Sequence, residues 1–195
     1  MLTLGTYGAD ANFFKLKGEL ENILSGLRLP KASYCAVKDN PSYHPGRCAA
    51  VSMNGILLGY MGQIHPLVAK NYGLDCEVYC LELDFAKMSA LVLPEPVYVP
   101  LPKFPSVTRD IAVVCDEAVT VGALEAAIRK GGKSLLKDVA LFDIYRGKGV
   151  AEGKKSVAFN LTLRADDRSL TGEEADADVK AVLESLEKEC GAVLR

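Results

Sequence analysis

The sequence predicts an α+β protein built from two units. Two observations carry that prediction. Five of the nine prolines (Pro94, Pro96, Pro100, Pro102 and Pro105) crowd into one short stretch, where missing backbone donors and restricted neighbours favour an extended connector. Beyond it, apolar periods of two and of about 3.6 residues alternate in the order β-α-β-β-α-β. The expected division is residues 1–93, a linker at 94–102, and residues 103–195.

The first unit opens with a helix, because Phe13, Leu16, Leu20, Ile23, Leu24 and Leu27 recur at helical spacing and form one apolar face. A strand is expected over Tyr34–Val37. Residues 47–53 and 56–64 read as two strands joined by Asn54-Gly55, a strong signal for a tight hairpin. Pro66 starts a short helix that ends near Gly73, and residues 77–85 form another strand. The result is a mixed α/β piece with a modest sheet, as expected of part of a larger domain.

In the second unit, Val107–Cys115 reads as a strand and Val121–Lys130 as a helix with Val121, Leu124 and Ile128 inward. Leu135–Arg146 and Lys154–Arg164 are strands joined by a glycine-containing turn. Thr171 starts the last helix, with Glu174 placed for a capping box and Val179, Val182, Leu183 and Leu186 on its inner face. A short strand at 191–195 follows. This is the ferredoxin-like order, with two helices on one sheet face and the other face open.

Strand alternation then assigns side chains to that open face. Ile111, Val113 and Cys115 are expected inside, with Asp110, Ala112 and Val114 outside. In the second strand Ala140, Phe142 and Ile144 are expected inside, with Leu141, Asp143 and Tyr145 outside. In the third, Val157, Phe159, Leu161 and Leu163 point in, and Ser156, Ala158, Asn160, Thr162 and Arg164 point out. A flat face with one ring and small neighbours suits an unpaired base. Many ferredoxin-like domains have a merely solvated sheet face, and the alternatives are a stand-alone regulatory or protein-interaction module, since the topology hosts many functions.

Charge is uneven. Between Arg129 and Lys155 there are eight Lys/Arg against three Asp/Glu, and between Asp166 and Glu189 nine Asp/Glu against three Lys/Arg. Phosphates are expected to approach Arg146, Lys148, Lys154 and Lys155. The formal net charge of −2 argues against a strongly basic nucleic-acid binder, and no DNA partner is expected. With 49% apolar and 25% charged residues the composition is globular. No apolar run reaches the roughly 20 residues of a membrane span, and no signal peptide is evident, so a cytoplasmic location is expected.

Other motifs are set aside. The six cysteines are scattered and do not form a disulfide pattern. His44 and His65 each precede a proline and lack Cys/His partners at zinc spacing, so both are expected in turns. Gly132-Lys133-Ser134 lacks the earlier glycine of a phosphate loop and reads as a helix stop. Arg109-Asp110 is either a charged pair in a binding surface or an ion pair at a strand start. No nucleophile-base arrangement stands out.

Several phrases in series resemble the C-terminal part of bacterial phenylalanyl-tRNA synthetase β subunits. They are FFKLKGELENIL (13–24), YHPGRCAAV (43–51), GYMGQIHPLVAKNYGL (59–74), VYCLELDF (78–85), KFPSVTRDIAVV (103–114), LFDIYRG (141–147), KKSVAFNLTLRADDRSLTGEE (154–174) and GAVLR (191–195). The resemblance implies that the first unit is the tail of a class II synthetase-like module that has lost its chemistry and packs on the catalytic α subunit in an (αβ)₂ assembly. It implies that the second is a ferredoxin-fold anticodon-binding domain for phenylalanine tRNA. The motif match makes Tyr145 the ring under the wobble guanosine, with Ser156 and the backbone at Ala112 as further contacts. By the same resemblance ATP and Mg²⁺ belong to the holoenzyme, and this chain carries no catalytic residue, cofactor or metal.

Overall fold

The computed structural model describes residues 1–195 as two compact units, Met1–Val97 and Tyr98–Arg195. Residues 94–102 contain no helix or strand.

The first unit is a five-stranded antiparallel sheet with strand order β1-β5-β4-β3-β2. Its elements are β1 (Leu2–Tyr7), α1 (Phe13–Gly26), β2 (Ser33–Ala36), β3 (Tyr43–Met53), β4 (Ile56–Ile64), α2 (Pro66–Asn71), β5 (Val78–Leu83) and α3 (Phe85–Ser89). The Asn12 side chain caps α1 by accepting from the Lys15 amide. Leu16, Leu20 and Leu24, four residues apart, bury one stripe against Val51, Met61, Leu81 and Leu83. Asn54 and Gly55 both take positive φ, 48° and 79°, as the two-residue β3–β4 turn requires. At Gly62 a Cβ would lie 2.3 Å from the Arg47 carbonyl oxygen, so only glycine admits β3 this close beside its irregular register.

Two elements here differ from the sequence expectation. β1 was not anticipated, yet Leu2-Thr-Leu-Gly-Thr-Tyr alternates in burial and Leu2 and Leu4 pack on the core. It pairs with β5 from Leu2↔Leu83 to Tyr7↔Val78 and makes the sheet larger than expected. Residues 84 and 85 leave the predicted strand because Asp84 caps the short helix α3, accepting from the Lys87 amide.

The second unit comprises β6 (Val107–Asp116), α4 (Val121–Gly131), β7 (Leu136–Tyr145), β8 (Lys154–Leu163), α5 (Gly172–Cys190) and β9 (Val193–Leu194). Its antiparallel sheet has the order β7-β8-β6-β9, the ferredoxin-like arrangement. The helices seal one face: Leu124, Ala127 and Ile128 of α4 and Val182 and Leu186 of α5 meet Ile111, Val113, Val157, Phe159 and Leu161. Gly131 lets α4 and α5 touch, because a Cβ there would sit 2.7 Å from Val182 Cα. Thr171 and Glu174 form the expected reciprocal capping box.

Alternation holds along β6 and β8 but breaks in β7. The register pairs Val139↔Leu161 and Leu141↔Phe159, then skips Phe142 and resumes with Asp143↔Ala158 and Tyr145↔Ser156. Phe142 is thus an extra residue, a bulge, and it is exposed. Ahead of it the expected faces are reversed: Leu141 lines up on the helix side and Ala140, opposite Asn160, on the open side. Past the bulge Ile144 faces in and Tyr145 out, as alternation from the strand's end required.

Candidate nucleic-acid interface

Register places the open-face side chains in rows. Tyr145, Ser156 and Val114 form one row across β7, β8 and β6; Asp143, Ala158 and Ala112 form the next. The second row is small on two of its three strands, so Tyr145 rises beside a shallow floor. Ala112 lies diagonally from Ser156, within reach of a single base or of one long side chain. Further along, Asn160 donates to the Asp110 carboxylate at 2.7 Å, so that end of the face satisfies itself.

Tyr145 is 37% exposed. Its hydroxyl donates to the Lys148 carbonyl at 3.2 Å, which fixes the ring against the β7–β8 loop. The loop comes this close at Gly147, where φ is 155° and a Cβ would lie 2.9 Å from the Tyr145 hydroxyl. Across the sheet, the Arg195 amide donates to the Ala112 carbonyl at 2.9 Å, which continues the β6–β9 pairing. Yet the Arg195 guanidinium lies over the Tyr145 ring, 5.4 Å from its centroid, a cation–π contact. β8 runs between those two anchors, so the Arg195 stem crosses the Ala158–Ser156 floor. Ser156, on the same face, is only 4% exposed.

The expected phosphate-binding cations fare differently from one another. Arg146 makes a forked pair with Glu117, with Nη2 at 2.7 Å and Nε at 3.0 Å from Oε1. The hydrogen bonds from Arg146 hold the Glu117 carboxyl below the usual carboxylate range and in turn raise Arg146. Lys154 pairs with Asp116 at 3.1 Å. Lys155 points to the helix side, is 6% exposed, and donates to the Glu117 carbonyl at 3.0 Å, so it offers phosphates nothing. Lys148 alone keeps an unpaired ammonium. Sequence reasoning missed Arg195. The available signal was that a last strand beside the first sets residue 195 opposite residue 112 on the open face.

The remaining candidates have local roles. His44 accepts from the Gly46 amide at 3.0 Å and His65 caps α2, accepting from Leu67 at 3.2 Å. Gly132 ends α4 and Lys133 turns the chain with φ 45°. Arg109 and Asp110 do not pair with each other: Arg109 reaches Asp176 at 2.9 Å and Asp110 holds Asn160. No group of three or more His, Cys, Asp or Glu is placed to hold a metal ion, and no helix is long and apolar enough to cross a membrane.

Comparison with known proteins bears on both units. Residues 2–85 match the model of the phenylalanyl tRNA synthetase beta chain CLM domain, and residues 102–195 match the ferredoxin-fold anticodon binding domain. The chain belongs to the phenylalanyl-tRNA synthetase β-subunit family. Within that family it is 46% identical over 185 residues to the phenylalanine–tRNA ligase beta subunit of Symbiobacterium thermophilum, covering 95% of this chain and 20% of the relative. The Clostridium acetobutylicum β subunit is 38% identical, covering 100% of this chain and 24% of the relative. That of Bacillus subtilis is 42% identical, covering 94% and 23%. The chain therefore spans about a fifth to a quarter of the length of these β subunits.

Proposed function

We propose that the second unit binds the anticodon of phenylalanine tRNA on its open sheet face. The wobble base stacks on Tyr145, Ser156 supplies a hydrogen bond to a base edge or to the nucleotide backbone, and the small side chain at Ala112 lets the nucleotide approach the strand. One observation carries the reading: Tyr145, Ser156 and Ala112, matched residue by residue to the family's motif, gather around a shallow floor on the one sheet face that no helix covers. Lys148 is the cation free to meet the backbone phosphates, and Arg146 and Lys154 join only by leaving their carboxylate partners.

The first unit contributes surface to the α subunit of an (αβ)₂ assembly in the cytoplasm. Phenylalanine activation with ATP and Mg²⁺ belongs to α. A stacked base is worth about 1–3 kcal/mol, so in the assembled enzyme Tyr145→Ala lowers the affinity for phenylalanine tRNA by roughly 5- to 150-fold. The loss is confined to the tRNA-dependent step. Steady-state charging and ATP–pyrophosphate exchange separate the two; equal losses in both overturn the proposal.

A further inference from the structure

Arg195 is held at two points that no other side chain of the open face shares. Its backbone is tied to β6 through Ala112, and its guanidinium rests on the ring of β7. A base cannot enter beneath it: the 5.4 Å between guanidinium carbon and ring centroid is less than two layers spaced at about 3.4 Å, the separation of successive bases on a strand. A base that stacks on this side of Tyr145 must displace the guanidinium, while the backbone bond to Ala112 keeps the arginine beside the site. The displaced fork then lies at the rim of the very floor the base has taken.

We infer that Arg195 is a specificity-determining residue of this site, which closes the floor while it is empty and reads the edge of the base that displaces it. The inference rests on the anticodon reading above. The chemistry selects guanine. A planar fork of donors matches the adjacent O6 and N7 acceptors of that base, whereas adenine sets an amino donor in place of O6 and pyrimidines lack N7. Nothing competes for the fork in the free protein: Arg195 makes no ion pair, while Arg146 is committed to Glu117. Its only partner is the ring that the base must reach, so binding releases the reader in the same step.

The test uses the assembled synthetase and four phenylalanine tRNA transcripts that differ only at the wobble base, with dissociation constants measured by filter binding at one salt concentration. Arg195→Ala narrows the preference for guanine over adenine by roughly tenfold, the size of one bidentate arginine–guanine pair. Arg195→Lys narrows it similarly, because a point charge lacks the fork. Tyr145→Ala, measured alongside, weakens all four tRNAs. An unchanged preference in Arg195→Ala overturns the inference, whether overall affinity rises, falls or stays; so does full recovery of the preference in Arg195→Lys. If Tyr145→Ala leaves all four affinities intact, the anticodon reading itself fails. If Tyr145→Ala weakens them and Arg195→Ala leaves the preference unchanged, only the role of Arg195 fails.

Discussion

The two faces of the four-stranded sheet are made by the same strands, residue by residue in alternation, and do opposite work. The helix side carries Val113, Val157, Phe159 and Leu161, none of them accessible, locked under α4 and α5. The open side carries Ala112, Ala158, Ser156 and Tyr145, has no helix over it, and holds the Arg195 guanidinium above the Tyr145 ring. Bulk on the first face is stability, because every methylene removed leaves a cavity. Smallness on the second is vacancy, and vacancy is what a ligand needs. The contrast teaches that the floor residues are defined by what they leave out.

The strongest way to break this contrast is to exchange the two kinds of defect. Phe159→Ala on the helix side is expected to cost about 3–5 kcal/mol, read as a lower urea midpoint. Ala112→Leu on the open side fills the floor and changes stability by no more than about 0.5 kcal/mol. It weakens tRNA binding by an amount on the order of a lost stack, ~1–3 kcal/mol. A large stability loss from Ala112→Leu with normal tRNA affinity would erase the distinction.

The smallest effect tests the rim. Glu117 has its carboxyl pKa lowered by Arg146, so their pairing contributes fully above the unfolded-state carboxyl pKa and is lost as pH falls through the lower folded value. The stability difference between the native chain and Glu117→Gln is therefore expected to shrink on acidification, in denaturant midpoints taken across the acid range. The pair is exposed, and the shift is correspondingly slight. A difference that does not vary with pH would show that Arg146 is not held there.

Much of this arrangement is legible in the residues. Asn54-Gly55, the Thr171–Glu174 box and the alternation of β6 and β8 are local signals, and each sits where local chemistry put it. What escaped is non-local. β1 has a readable alternation but needs β5, far along the chain, to become a strand. The β7 bulge is set by its partner β8: nothing within Ala140-Leu-Phe-Asp says which residue will be skipped. Arg195 meets Tyr145 only because the fold brings a late residue back beside the first strand of the unit and a long side chain then crosses another. The charge count around residues 129–155 misled for a related reason. It could not see that Arg146, Lys154 and Lys155 are already engaged.

Phe142 has a consequence out of proportion to its own exposed ring. Because it is surplus to the ladder, it inverts the phase of the strand between Leu141 and Asp143. Were Phe142 paired in the ladder instead of skipped, the alternation of Val139 and Leu141 would run on through Asp143, and the aromatic ring at position 145 would turn under the helices. Pairing, here, sets which surface a ring belongs to: excising the surplus residue would leave Asp143 and the ring on the open face, whereas absorbing it into the ladder would bury the stacking plane with every letter of the motif unchanged.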